Sequence, residues 1–284
     1  MTVYLLSVIF LCQCTERIDI EVDSSYSRLV VEGCISTDTL QHSVRLTVSG
    51  DYFYNQPAPY VSDAIVTISD GDSTIVLSES QDQPGTYLTR SDYYGIPGKT
   101  YKLVISHVDI DKDGVLEEYT ASSELRPVNE LDSIHLEPLT GDFFNIIQIL
   151  VFALDPPVKD YYAFRVLKNR ILITDTLYEL VVQDDIFFNG NYIYGAPSQF
   201  LDQNEEEEVI RPGDTITFEI NGITEEYYNF ILETQSEISF QTPLFSGPPA
   251  NIRSNISNGA IGFFAAYSVA RCSVIYSGNK KTRL

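Results

Sequence analysis

The residues best spaced for metal chemistry are three alternating carboxylates followed by a glycine in segment 109–114. They are Asp109, Asp111 and Asp113. Alternate carboxylates converge on a hard cation, and the glycine permits the sharp turn of a calcium loop. The twelfth position of that loop, which normally supplies a bidentate carboxylate, is Thr120 here, and strand-like sequence flanks the motif. We therefore interpret the segment as an acidic hairpin and predict no cofactor, with calcium as the alternative; Glu117 or Glu118 would then complete an irregular site.

Nucleophilic chemistry has one candidate, the tripeptide Gly71-Asp72-Ser73, which resembles the nucleophile motif of some lipases and esterases. A serine hydrolase also needs a base beside the hydroxyl and an oxyanion hole. The histidines are His42, His107 and His135. Each lies in a strand-like stretch, the tripeptide belongs to a hairpin-turn pattern, and the sequence has no metalloprotease His pair. We predict that the protein is not an enzyme, with a secreted, carboxylate-based glycosidase as the alternative because Asp and Glu are abundant.

Aromatic side chains between the strand-like runs are candidates for contact with a partner or ligand. They are Tyr52, Phe53, Tyr54, Tyr93, Tyr94, Phe187, Phe188, Tyr192 and Tyr194. Tyrosine offers a broad apolar face with a polar tip, which suits a contact surface. The last four belong to an excursion from about 182 to 211 that we predict to be a long functional loop, with a solvated acidic run at 205–208. The alternative is that the rings cap the ends of a sandwich.

The chain begins with an apolar run, residues 5–11, that leads into the sequence Leu11-Cys12-Gln13-Cys14. This run is too short to span a bilayer but has the length of a signal-peptide core. A cysteine that closes such a run resembles the lipid attachment site of bacterial lipoproteins. We predict a signal peptide at 1–13 and lipid attachment to Cys14, so that acyl chains hold the protein to a membrane. A plain secretory signal or an N-terminal strand is the alternative, because no Lys or Arg precedes the run.

The composition restricts the classes of partner. The 284 residues include 18 basic and 40 acidic side chains, which gives a net charge of -22. Phosphate backbones and anionic headgroups are repelled by such a charge, so it argues against nucleic-acid binding and against electrostatic docking on a membrane. Two cysteines remain beyond the predicted lipid site, Cys34 and Cys272. We interpret them as small buried side chains, with a disulfide between them as the alternative.

Short runs of Tyr, Phe, Val, Ile and Thr, broken by Gly, Pro, Asn and Asp, predict a mainly β fold of two domains. After a linker at 14–27, seven strand-like runs over 28–126 predict an immunoglobulin-like or transthyretin-like β-sandwich. Residues 127–284 predict a second β-rich, sandwich-like domain with one amphipathic helix near 224–236. The apolar run 146–154 fits a central strand of this domain that is covered on both faces.

Several motifs resemble those of one family of bacterial lipoproteins. The most distinctive is segment 248–266, in which Asn and Gly bend the chain before an apolar strand. The others are Val30-Val31-Glu32-Gly33, Val61-Ser62-Asp63-Ala64-Ile65-Val66, Gly85-Thr86-Tyr87, Gly98-Lys99-Thr100-Tyr101-Lys102-Leu103 and Tyr119-Thr120-Ala121. Their order and spacing, over residues 14 to 276, are similar to those of the Bacteroidota outer-membrane lipoproteins grouped as domain of unknown function 4249.

This resemblance implies a location and partners but no reaction. Members of the family look like outer-membrane lipoproteins encoded beside TonB-dependent transporters, and the family has no established activity and no catalytic residues to carry over. We therefore expect a lipid-anchored, non-enzymatic protein that binds a ligand or accompanies such a transporter in nutrient uptake, on the cell surface or the periplasmic side. A structural surface or adhesion subunit fits the same composition.

Overall fold

The computed structural model describes residues 27–50, 57–141, 145–238 and 252–278. Within these ranges the chain is mainly β, as predicted, with sixteen strands and one helix. The strands of the first half are β1 Leu29–Ser36, β2 Ser43–Val48, β3 Ile65–Ser69, β4 Thr74–Val76, β5 Ser78–Glu79, β6 Thr86–Leu88, β7 Thr100–Val108 and β8 Glu117–Glu124. The later elements are β9 Ser133–Thr140, β10 Asn145–Leu154, β11 Tyr161–Lys168, β12 Ile171–Leu172, β13 Val181–Asp184, β14 Tyr192–Asp202, β15 Thr215–Ile223, helix α1 Glu225–Ile238 and β16 Ile261–Ile275.

One large sheet underlies both halves of the chain. It has nine strands in the order β12-β11-β15-β16-β1-β2-β6-β5, with β13 also paired to β11. Two small sheets, β4-β3-β7-β8 and β14-β10-β9, form separate hydrophobic cores with it. Phe264 faces the first core, and Ala270 and Cys272 face the second. Because alternate residues of a strand share a face, both small sheets lie on the same side of the large one. The result is two sandwiches with a common sheet.

Strand β16 is the element that joins the two sandwiches. Residues 261–267 pair in parallel with β1, and residues 268–275 pair antiparallel with β15. The division of the sequence at residue 127 did not anticipate this pairing. Strands far apart in sequence leave no local pattern that reveals their contact, so the end of the chain was assigned to the second domain alone.

Helix α1 covers the opposite face of the large sheet. Its N-terminus is capped by Thr224, whose Oγ1 accepts a hydrogen bond from the backbone N–H of Tyr227 at 3.2 Å. Two glutamates in the first turn complement the positive end of the helix dipole. Ile231 is fully buried, and the rings of Tyr227 and Phe230 each lie 5.0 Å from that of Phe263. The predicted helix is therefore present, and its apolar side packs on the sheet.

The prediction of a long loop from 182 to 211 is wrong in the middle. Residues 192–202 form strand β14, which pairs with β10 along its length. Two register shifts interrupt this pairing, and Gly195 and Pro197 lie within the strand. These features hide the period-two pattern by which a strand is recognised in sequence.

The two described cysteines are free and only partly buried. Cys34 lies opposite Ala265, and Cys272 is seven residues further along β16, about 23 Å away at the rise of a β-strand. They also face different cores. A disulfide between them would need their Cα atoms within about 7 Å, so the two thiols cannot pair in this fold.

Candidate functional site

The outer surface of the sheet β14-β10-β9 exposes several large apolar and aromatic side chains. Ile147, Ile149 and Val151 of β10 point inward and are buried, whereas the alternate residues point outward and are half-buried or exposed. The prediction that both faces of this strand are covered is therefore wrong. We call the outer set the aromatic face. It consists of His135 from β9, Leu150, Phe152 and Leu154 from β10, and Tyr192, Tyr194 and Phe200 from β14.

Rings dominate the aromatic face. Tyr194 is 82% exposed and lies 4.6 Å from Tyr192 between ring centroids, while His135 and Phe152 are 5.5 Å apart. Gly195 makes this arrangement possible, since its φ is +78° and a Cβ there would lie 2.9 Å from the Phe152 ring. The glycine therefore lets the Phe152 ring lie directly on the backbone of β14.

The turn before β14 presents a further ring to solvent. Phe187 is 82% exposed, whereas Phe188 beside it is half-buried. The backbone N–H groups of Phe188 and Asn189 donate to the carbonyl oxygen of Asp185 at 2.7 and 2.8 Å. The Asp185 carboxylate, 2% exposed, accepts the backbone N–H of Asp160 at 3.0 Å. Buried hydrogen bonds thus fix the turn that holds Phe187 outward.

Two further buried aspartates lie near this turn. Asp155 accepts the hydroxyl hydrogen of Tyr162 at 2.8 Å and the N–H of Gly190 at 3.3 Å. Asp160 forms an ion pair with Arg126 at 3.1 Å. Burial raises the pKa of both carboxyl groups. The cavity that Asp155 lines has a volume of about 40 Å³, enough for a few water molecules but far below the roughly 300 Å³ or more of ligand pockets.

The other predicted contact residues separate in space. Tyr52, Phe53 and Tyr54 lie outside the described residues, as do Cys14 and the predicted signal peptide. Tyr93 is half-buried against the first core, with its ring 6.0 Å from that of His42. This placement matches the alternative in which rings cap a sandwich. Tyr94 is 54% exposed. Sequence reasoning missed the β9 and β10 members of the aromatic face because a continuous apolar run gives no sign of which side is open.

The acidic hairpin brings its three predicted ligands together. Carboxylate oxygens of Asp109, Asp111 and Asp113 lie within 4.8 Å of one another. Asp109 Oδ2 accepts the N–H of Gly114 at 3.0 Å, but its Oδ1 is buried without a hydrogen-bond partner. Glu117 instead bonds the hydroxyl of Tyr119 at 2.6 Å. The three aspartates supply part of the oxygen ligands that a hard cation such as calcium needs, and Asp109 Oδ1 has no other hydrogen-bond partner. No bidentate carboxylate completes the site.

The serine motif proves to be a turn. Asp70 Oδ1 accepts the N–H of Ser73 at 2.8 Å and its hydroxyl at 3.1 Å, between strands β3 and β4. Lys99 pairs with Asp70 at 2.7 Å and with Asp72 at 2.8 Å. The Ser73 hydroxyl therefore donates its hydrogen within the turn, to Asp70. No histidine in the described ranges forms a hydrogen bond with this hydroxyl.

A comparison with known protein families finds a match over most of the chain. The family model described as Domain of unknown function (DUF4249) matches residues 15–273. The chain belongs to this family. The match confirms the resemblance drawn from the sequence motifs. No curated protein matches the sequence. None of the helices in the described part of the chain is long and apolar enough to cross a membrane.

The most distinctive motif of the DUF4249 resemblance has a structural role in its described part. The side chain of Asn255 bonds both backbone groups of Phe264, donating at 2.8 Å and accepting at 3.0 Å. Ser257 donates its N–H to the carbonyl oxygen of Thr120 at 2.8 Å, and its Oγ accepts the N–H of Thr120 at 2.7 Å. The motif therefore bridges strand β8 of one sheet and strand β16 of the other. These hydrogen bonds stabilise the first sandwich.

Proposed function

We propose that this protein is a lipid-anchored, non-enzymatic accessory protein of the outer membrane that docks on a TonB-dependent transporter through its aromatic face. The observation that carries the proposal is the exposure of this face, where Tyr194 is 82% exposed and Leu154 and Phe200 are 55% and 50% exposed. Isolated apolar residues are normal on protein surfaces, but a contiguous set of rings is typical of an interaction site. The location and the partner in this proposal are the expectations drawn above from the N-terminal cysteine motif and from the resemblance of the sequence motifs to outer-membrane lipoproteins.

The surroundings of the aromatic face indicate the chemistry of the partner. Exposed glutamates lie at its edge, including Glu137 on β9 and the run 205–207 after β14, and the chain as a whole carries a charge of -22. A partner surface that matches this one has an apolar centre and a basic rim. The same charge disfavours direct contact with anionic lipid headgroups, so attachment to the membrane is assigned to acyl chains on Cys14.

The alternative of a carboxylate-based glycosidase has less support. Its signature is a pair of carboxyl groups about 5 to 10 Å apart on either side of a cleft that holds a sugar. Asp155 and Asp160 have raised pKa values, but burial beneath the Phe187 turn is the main cause. The cavity of about 40 Å³ beside Asp155 is too small for a sugar ring.

Affinity purification of the tagged lipoprotein from its native outer membrane tests the docking proposal. We expect a β-barrel transporter to co-purify with the wild-type protein and its recovery to fall about tenfold with Tyr194→Ala plus Phe200→Ala, since exposed aromatic anchors of an interface contribute most to binding. Tyr178→Ala is the matched control, because Tyr178 is 70% exposed but lies between β12 and β13. Equal recovery with the double variant, or no barrel with the wild type, would contradict the proposal.

A second proposal concerns a ligand of the acidic hairpin. We propose that calcium binds Asp109, Asp111 and Asp113, and the supporting observation is the buried, unpartnered Oδ1 of Asp109. Calcium at ten times its dissociation constant would raise the free energy of unfolding by about 1.4 kcal/mol. We expect this increase in thermal unfolding of the wild type and of Asp82→Asn, an exposed control, but not of Asp109→Asn. An identical calcium response of Asp109→Asn would exclude the site.

A further inference from the structure

A second cavity lies on the helix side of the large sheet, beyond the part that α1 covers. Its volume is about 250 Å³. Residues from β1, the segment after it, β2, β11, β12, β15 and β16 line it, so both sandwiches contribute. Neither the aromatic face nor the acidic hairpin takes part. Its polar lining includes Arg165, Arg271, Asp38, Glu219 and His42, and its apolar lining includes Leu40, Leu167, Leu172 and Val269.

The two arginines of this cavity differ in their partners. Arg271 is fully committed, because it donates to Asp38 through Nη1 at 2.8 Å and to Glu219 through Nε at 2.8 Å. Arg165 is directly opposite Glu219 in the β11–β15 pairing, yet it makes no hydrogen bond or ion pair with any described residue. The five N–H donors of this half-buried guanidinium therefore have no protein partner among the described residues.

Glu219 interacts electrostatically with Arg165 from the opposite strand, and two other neighbouring groups are uncharged. Burial raises the pKa of the Cys34 thiol, so the thiol stays neutral at pH 7 and does not neutralise Arg165. His42 is 3% exposed, and its Nε2 is buried without a hydrogen-bond partner. Its pKa is lowered by burial, which keeps the ring uncharged and able to share one hydrogen bond. The cavity wall therefore contains a guanidinium without a hydrogen-bond partner among the described residues and a buried ring nitrogen of His42 without one.

We propose that this cavity binds a small organic monocarboxylate through the guanidinium of Arg165. A carboxylate matches the planar fork of arginine with two parallel hydrogen bonds, and the leucine and valine walls accommodate a short apolar body. Asp38 and Glu219 in the same cavity repel a second negative charge, so a monoanion is favoured over phosphate. The volume of about 250 Å³ is below that of most ligand pockets, which limits the ligand to a few carbon atoms.

Calorimetric titration of the full-length protein with butyrate, butyramide and inorganic phosphate tests this site. We expect butyrate to bind, and its neutral, equally sized amide and phosphate to bind at least about tenfold more weakly. Arg165→Gln should weaken butyrate binding about tenfold or more, and Arg165→Lys should weaken it less, because lysine keeps the charge but loses the fork. Arg45→Gln is the control, since Arg45 is exposed and lies on another part of the sheet.

Circular dichroism shows whether each variant is folded. If Arg165→Gln does not fold, the butyrate affinity of Arg165→Lys, compared with that of the wild type, tests the proposal. Tyr194→Ala should leave butyrate binding unchanged, which separates this site from the docking face. Equal affinity of Arg165→Lys and wild type for butyrate, equal binding of butyramide, preference for phosphate, or no butyrate binding to the wild type would each overturn the proposal.

Discussion

The second sandwich contains buried aspartates, and two of them, Asp155 and Asp160, make its stability depend on pH. Asp155, Asp160 and Asp185 are 4%, 7% and 2% exposed, and Arg126 is the only basic side chain that pairs with any of them in the described ranges. Burial raises the pKa of Asp155 and of Asp160 above the value of an unfolded chain. The native state therefore holds protons that the unfolded state has released. Stability from these two groups is present at low pH and is lost as pH rises through their native pKa values.

Asp155→Asn isolates one of these contributions. Asparagine does not titrate, so the free energy of unfolding of the wild type should increase relative to that of the variant as pH falls from 7 toward 4. Each unit by which burial raises the pKa corresponds to about 1.4 kcal/mol. Urea unfolding at several pH values measures the difference.

Asp214→Asn is the control with the opposite sign. The N–H of Arg211 at 2.7 Å and the amide of Asn169 at 2.8 Å lower the pKa of Asp214. Its stabilising effect is present above the unfolded pKa and is lost as pH falls through the native pKa. For each variant, the quantity to follow is the free energy of unfolding of the wild type minus that of the variant. If this quantity changed in the same direction with pH for Asp155→Asn and Asp214→Asn, burial would not be the cause of the raised pKa of Asp155.

At the scale of elements, the close pairing of β1 with β16 depends on one glycine. Gly262 has a φ of +96°, and a Cβ there would lie 2.1 Å from the carbonyl oxygen of Val31. Val31 is its partner in the parallel ladder. A side chain at this position is incompatible both with the backbone angle and with the neighbouring strand. The two strands approach one another only because residue 262 is glycine.

Gly262→Ala should therefore destabilise the protein by more than about 3 kcal/mol, because it combines backbone strain with a clash that separates the strands. Gly259→Ala is the matched control. Gly259 also has a positive φ, +72°, but nothing lies within 4 Å of an added Cβ. We expect it to cost only about 1 kcal/mol. Urea unfolding of both variants provides the comparison, and equal losses would show that the angle alone, not the strand contact, requires glycine at 262.

Elements whose signals are local could be predicted, and those that depend on distant partners could not. Helix α1 has its cap and its apolar side within one short segment, and the turn at Gly71 follows from an Asp-Gly step; both are present. Strand β14 lacks a regular alternation of polar and apolar residues because it contains Gly195 and pairs with β10 through two register shifts. Its pairing with β10 also leaves no pattern in the local sequence. Candidate residues divide in the same way. Exposed Tyr194 was found from its type, whereas Phe152 and Arg165 became candidates only through what the fold leaves uncovered or unpaired.

At the scale of the whole molecule, the shared sheet makes the two sandwiches one structure. β16 contributes Phe264 to the first core and Ala270 and Cys272 to the second. A hydrogen bond also joins the two sandwiches: the N–H of Val269, in the part of β16 that pairs with β15, donates at 3.0 Å to Oγ1 of Thr37, which follows β1. Opening either core leaves β16 without one of its partners.

We therefore expect the two sandwiches to unfold together. Hydrogen exchange measured by mass spectrometry should give the same opening free energy for β7 in the first small sheet and β10 in the second, since a two-state unit has one global value. The Gly262→Ala variant should lower both values equally, although residue 262 contacts only β1 of the first sandwich. Faster exchange in β7 alone would show two independent domains that merely adjoin. If β7 and β10 share one opening free energy in the wild type and also in Gly262→Ala, the destabilisation of the first core must reach the second core through β16. The continuous sheet implies this result.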